Sequence, residues 1–172
     1  MESNIGGGAG YSRPRERSKA SSASKTLFRI GIIQGIGLIG ALDEIILHQL
    51  LQWHNFYVHS TQFWRIFSDG LFHIFSLCLF LIATSQLWSK RSLLSTLERG
   101  RALVAGILLG MGGFNLYDGI IQHKLLQLHP VREGVPDQLP YDLAWNGLAL
   151  LLIAGGWWLW SSVRTDNSRV RS

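Results

Sequence analysis

Charge is scarce in this chain: only 16% of its 172 residues are Asp, Glu, Lys or Arg. Four stretches, roughly residues 27–51, 69–88, 102–126 and 142–160, account for the shortage. Each supplies the ~20 mainly apolar residues, at ~1.5 Å rise, that a helix needs to cross a bilayer. A polar stripe is also missing. Residues 77–83 and 148–160 lack the polar face that each helix of a soluble bundle carries. Sulfur is rare too. The single cysteine, Cys78, lies within a span, so an intrachain disulfide is excluded and the thiol reads as a small buried hydrophobe. With only Met1 and Met111 beside it, the chain argues against a copper(I) site of thiolates and thioethers. The first 25 residues, rich in Gly, Ser and Arg, have no apolar core of the kind a cleaved signal carries. The glycines at 6–8 lack a following Lys-Ser/Thr, so no nucleotide phosphate loop is expected.

What is present predicts an all-α fold, an integral membrane four-helix bundle spanning residues 26–163. Basic tails flank it at 1–25, expected to be disordered, and at 164–172. Thirteen basic residues lie in the N-terminal region, the 90–101 loop and the C-terminal tail. Only Arg65, Lys124 and Arg132 lie on the other side. Positive loops stay inside, so both termini are expected to be cytoplasmic and the loops 55–67 and 130–140 extracytoplasmic, in the cell inner (plasma) membrane. Basic residues split among separate flanks suit anionic lipid and give no nucleic-acid surface. Trp53, Trp64, Trp88, Trp157, Trp158 and Trp160 read as interface anchors.

The polar residues within the spans are duplicated. Asp43, His48 and His54 follow Asp-x4-His-x5-His, and Asp118, His123 and His129 repeat it 75 residues later, with Ile-Ile and Leu-Leu-Gln at matching places. Upstream, Gly35 matches Gly110 and Gly37 matches Gly112. The second and fourth spans open alike, pairing Asp69 with Asp142 and His73 with Asn146. The reading is two repeated helical hairpins, about 27–89 and 102–161, related by a pseudo-twofold axis along the membrane normal.

The strings Asp43-x4-His48-Gln49-x2-Gln52-Trp53-His54, Ser68-Asp69-Gly70-Leu71-Phe72-His73, Phe114-Asn115-Leu116-Tyr117-Asp118-Gly119-Ile120-Ile121-x-His123 and Tyr141-Asp142-Leu143-Ala144-Trp145-Asn146 are specific as a set. Over about residues 28–160 they resemble the bacterial membrane-protein family numbered 2243 among domains of unknown function. Glu44 departs from the glycine expected there, as at Gly119. The resemblance implies a four-span bacterial membrane protein and no established activity.

An ionisable residue at membrane depth costs at least ~2.5 kcal/mol, so this set needs a reason. Asp69 and His73, four apart, share a helix face and can chelate one ion. Asp43 and His48, five apart, fall on different faces of an undistorted helix, so a centre is expected to assemble across helices. Gly35, Gly37, Gly40, Gly110, Gly112 and Gly113 would let those helices approach. The expected ligands are His48, His73 and His123. Asp43, Asp69 and Asp118 are expected as oxygen ligands or as acceptors fixing the imidazoles, and Asp142 and Asn146 as weaker members. His54 and His129 are further polar candidates, read first as interfacial residues that hydrogen-bond loops, and unpaired His59 reads as a loop residue. Asp69 and Asp142 stand equally as helix-starting caps or as ligands.

Imidazole with carboxylate suits copper(II), iron or zinc. The leading function is extracytoplasmic metal binding, in metal handling or assembly of a metalloprotein, with another membrane protein as a partner in the latter case. The alternatives are a membrane metalloenzyme, oxidative or hydrolytic, a proton- or ion-coupled transporter, and a structural subunit clamped by Asp–His hydrogen bonds. The nearly charge-free inner halves of the spans argue against the transporter.

Overall fold

The computed structural model describes residues 14–169. Helix α1 (Pro14–Asp43) continues into a π-helical segment, Glu44–Leu50; α2 (Gln62–Ser89) returns; a 3₁₀ turn (Arg91–Leu93) leads to α3 (Leu97–Tyr117), which also ends in a π-helical segment, Asp118–Leu125; and α4 (Leu139–Arg169) returns again. No strand is present among the described residues, and all four helices are long and apolar enough to cross a membrane. Large apolar side chains such as Leu71, Ile74, Phe75, Leu151 and Trp158 cover the outside. Only lipid makes such a surface tolerable.

The helices reach further than the apolar stretches. Of the expected N-terminal tail, residues 1–13 lie outside the described residues, but 14–25 are helical. Proline suits a first helical turn, the Arg-Glu-Arg and Lys-Ala runs are good helix formers, and Ala23 and Ser24 are already buried. At the other end α4 meets no Gly or Pro before Arg169, so the helix overrides the tail expected from residue 164, and 170–172 lie outside the described residues. Cys78, expected to be buried, is exposed. On α2 the buried stripe runs through Asp69, Phe72, Ser76 and Ala83, which points Cys78 outward.

Glycines set the packing. A Cβ on Gly31 would lie 2.3 Å from the Leu103 carbonyl oxygen and one on Gly35 2.2 Å from that of Ile107; from the other side, Gly106 and Gly110 meet the Phe28 and Ile32 carbonyls at 2.1 and 2.2 Å. The register ascends on both helices, so α1 and α3 run parallel with their backbones touching, as Gly-x3-Gly faces allow. Gly37 and Gly40 meet Phe80 and Ser76 in descending order, so α2 is antiparallel to α1. Gly112 meets Ala149 while Gly156 meets Leu109, so α4 is antiparallel to α3. Gly113, also expected at a helix contact, faces away from the seam, and a Cβ added there would meet nothing within 4 Å. Trp160, expected as an interface anchor, instead stacks on Phe28 with ring centroids 4.0 Å apart.

Both π segments end in the same way. Leu51 N–H donates to Ile46 O (2.9 Å) and Leu126 N–H to Ile121 O (2.8 Å), each five residues back, and Gln52 (φ 51) and Gln127 (φ 50) then turn left-handed. These are C-terminal caps of the Schellman kind, widened by the π register and built on Gln where Gly is usual. Gln127→Val is therefore expected to cost about 1–2 kcal/mol, because a β-branched side chain avoids this region. Gln127→Gly should be neutral or stabilising. The midpoint of thermal unfolding in detergent checks both.

Candidate metal centre

The site begins with the change of helical register. In an α-helix, residues five apart diverge around the axis, whereas the π register of i to i+5 hydrogen bonds stacks them. The π segment starting at Glu44 brings His48 Nε2 to 3.6 Å from Asp43 Oδ2. The segment starting at Asp118 brings His123 Nε2 to 2.9 Å from Asp118 Oδ2. The expectation that Asp-x4-His cannot share a face is thus corrected, because the helix departs from α at that point in both halves.

The left-handed caps then turn the chain back so that His54 and His129 hang over the same spot. Ring centroids of His48 and His54 are 4.4 Å apart, those of His123 and His129 4.7 Å, and His54 stacks on His129 at 4.5 Å with planes 5° apart. Two trios result, Asp43–His48–His54 and Asp118–His123–His129, in each of which one ligand atom per residue lies within 4.8 Å of the other two. All six residues are buried. His54 and His129, read from sequence chiefly as loop-bonding residues, sit at the centre of the cluster.

The two loops hold them there. His54 Nδ1–H donates to the Val131 carbonyl (2.8 Å), which leaves Nε2 as the bare nitrogen. Glu133 N–H donates to Trp53 O (2.7 Å), Val58 N–H to Leu128 O (3.2 Å), and Arg65 pairs with Glu133 across the loops. Burial, reinforced by the neighbouring imidazoles, pushes the pKa of His54 down to about 3 and that of His129 down to about 2. Both rings are neutral at physiological pH, the state that binds metals.

Several of these atoms make no well-aligned hydrogen bond, although His123 Nε2 and Asp118 Oδ2 face each other: Asp43 Oδ1, Asp118 Oδ2, both ring nitrogens of His123, and Nε2 of His48, His54 and His129. Buried polar atoms are rarely left so. Ligand atoms about 2.1 Å from a tetrahedral ion lie about 3.4 Å apart. The carboxylate-to-imidazole separations of 3.6, 2.9 and 3.9 Å bracket that value. The donor set therefore fits a divalent ion of borderline softness in each trio.

The surrounding groups differ between the halves. His48 Nδ1 faces two carboxylates, Glu44 Oε2 at 2.9 Å and Asp69 Oδ1 at 3.1 Å. Asp69 also accepts from Phe56 N–H (2.7 Å) and Asn55 Nδ2 (2.5 Å), so it orients the imidazole and ties down the loop. It is the eighth residue of α2, which starts at Gln62, so it does not cap the helix. His73, expected as a ligand, is not brought to the centre. Among the described residues it has no hydrogen-bond or ring partner, and Phe72 takes the place beneath His48, with centroids 6.2 Å apart. Asp69 and Phe72 define the inward edge of α2, and His73 falls on the far side of Asp69 from Phe72.

Glu44 was legible only as a departure from glycine. Its signal was the spacing to His48, four residues on and so on one helical face, and it is fully buried with Gln49 Nε2 donating to Oε1 (2.8 Å). In the second half Gly119 stands in that position. A Cβ there would lie 2.6 Å from Asn146 Oδ1, so the Asn146 amide fills the space. Asn146 Nδ2 donates to the Asp142 carbonyl (2.9 Å), and the Asp142 carboxylate pairs with Lys124. Asp142 and Asn146 border the second trio without belonging to it.

No curated protein and no solved structure matches the chain. Residues 30–163 match the model of the family described as a predicted membrane protein, DUF2243, so the resemblance carried by the Asp, His and Asn strings is borne out and the chain belongs to that family.

Proposed function

We propose that this chain is a multi-pass protein of the bacterial inner membrane that binds two transition-metal ions beneath its extracytoplasmic face, in metal handling or in the assembly of a metalloprotein. The observation that carries the reading is the pair of Asp–His–His trios whose buried ligand atoms converge with several of them making no well-aligned hydrogen bond. Charge supports it. The buried carboxylates of Asp43, Glu44, Asp69 and Asp118 balance two divalent ions, and the four imidazoles add nitrogen donors at no charge. The matching π segments, and the left-handed caps 75 residues apart, support an origin in two duplicated hairpins. The excess of Lys and Arg at the opposite end supports cytoplasmic termini. The donor set favours iron, zinc or copper(II).

A membrane metalloenzyme is the second reading, and one observation favours it. An apolar crevice of about 610 Å³, lined in part by Phe56, Phe72, Phe114 and Gln122, opens between α2 and α3 beside the centre. Elemental analysis of protein purified in detergent tests the main reading. About two equivalents of one transition metal per chain are expected, and metal-free protein that also fails to take up added Zn(II), Fe(II) or Cu(II) refutes it.

A further inference from the structure

The two trios differ in how they meet the outside. Over the first, the loop is tied down. Asp69 is held by Phe56 N–H, Asn55 and His48; Asn55 is pinned in turn by Arg65 Nε (2.8 Å); and Arg65 pairs with Glu133. Over the second, a cavity of about 300 Å³ leads inward past His59, Gln127, Lys124 and Asp142 to His123 and His129. Asp142 matches Asp69 in the sequence repeat, but its carboxylate has a single side-chain partner, Lys124, whose own side chain is 54% exposed. At the inner end the Nε2 atoms of His123 and His129 are buried without a well-aligned hydrogen bond, and both face the Asp118 carboxylate. On the Asp69 side the neighbouring crevice is apolar, and Asp43, His48 and His54 are not among the residues that line it.

We propose that this vestibule is the loading site for a hydrated divalent metal cation, with Asp142 as the first protein ligand the cation meets and Lys124 as the plug it displaces. The inference rests on the two-ion reading above. A lysine ammonium against a buried carboxylate already shows that the position accepts positive charge, and the lysine can withdraw because half of it lies in solvent. A cation arriving there replaces the ammonium at the carboxylate, sheds water, and passes to the imidazole nitrogens of His129 and His123, which bind it more firmly. The ion at Asp43–His48–His54 lies behind the loop contacts of Asn55, Phe56 and Arg65 and is the retained one. Asp118–His123–His129 holds the ion that exchanges.

The test uses the full chain in nanodiscs, loaded with Zn(II) and then mixed with excess chromophoric chelator. Wild type is expected to release zinc in two phases of equal amplitude. Lys124→Met should speed the fast phase about tenfold and leave the slow phase alone. Asp142→Asn should slow zinc loading of the exchanging site about tenfold, the size of effect that a single charge focused at a cleft mouth has on ion capture. Zinc bound but released in one phase, or two phases that neither substitution alters selectively, overturns the loading site while leaving the two-ion reading in place. Failure to bind zinc, and Fe(II) or Cu(II) in its place, overturns both.

Discussion

Protein carrying His54→Ala together with His129→Ala is expected to purify with almost no bound transition metal while keeping its helical content. Each substitution takes one nitrogen from one trio. Loss of groups that merely orient a ligand already costs 10–100-fold in affinity, by order of magnitude, and loss of a ligand costs at least about that. With two ligands left per ion, water must complete the shell, and a detergent-purified sample should lose its metal on dialysis. The same pair separates metal binding from a structural clamp. His54 contributes one side-chain hydrogen bond, to Val131, and the Nε2 of His129 makes no well-aligned hydrogen bond. Their removal therefore breaks little of the bundle. A structural role predicts the reverse, with unfolding at lower temperature and no change in metal. Elemental analysis beside circular dichroism distinguishes the two. His48→Ala is a poorer choice, because it leaves Asp43, Glu44 and Asp69 buried without the imidazole between them.

The second large effect is expected at the α1–α3 seam. A methyl group on Gly106 would stand 2.1 Å from the Phe28 carbonyl oxygen, and one on Gly35 2.2 Å from that of Ile107. The obstructing atoms are main chain, so no rotamer change relieves the overlap and the helices must move apart. Overpacking of ordinary cores costs typically ~1–3 kcal/mol. Here Gly106→Leu is expected to exceed that range and to prevent accumulation of folded protein, with Gly106→Ala destabilising in the same direction. Gly113→Ala is the matched control. Its added methyl meets nothing within 4 Å, and the helix should gain up to about 1 kcal/mol from the loss of a glycine. Unfolding midpoints in a mixed-micelle titration measure the difference.

The spans were legible in the sequence because lipid demands long apolar runs, and the layer of Asp and His was legible because polar residues at that depth are costly. What could not be read was the helical register. An ideal α period separates Asp43 from His48, and only a change to π stacking rejoins them, a change that depends on how Gln52 and Gln127 cap the helices. The same cause hid His54 and His129, whose positions depend on left-handed turns at residues that seldom adopt them. His73 drew attention by its spacing from Asp69, yet the face of α2 that turns inward is set by Phe72 and Ser76 packing toward α1. Gly31 and Gly106 do not stand out among nineteen glycines, although they complete the Gly-x3-Gly pairs with Gly35 and Gly110.

The seam between α1 and α3 has a consequence for the carboxylates at its upper end. Where peptide oxygens rest directly on α-carbons, there are no side-chain torsions to soften the contact, and the axes are held like the jaws of a locked caliper. Asp43 and Asp118 stand about two turns beyond the Gly35 and Gly110 contacts, where both helices change to the π register. The spacing of their α-carbons is therefore set by main chain, and only the aspartates' own two side-chain torsions remain to fit their carboxylates to an ion of another radius.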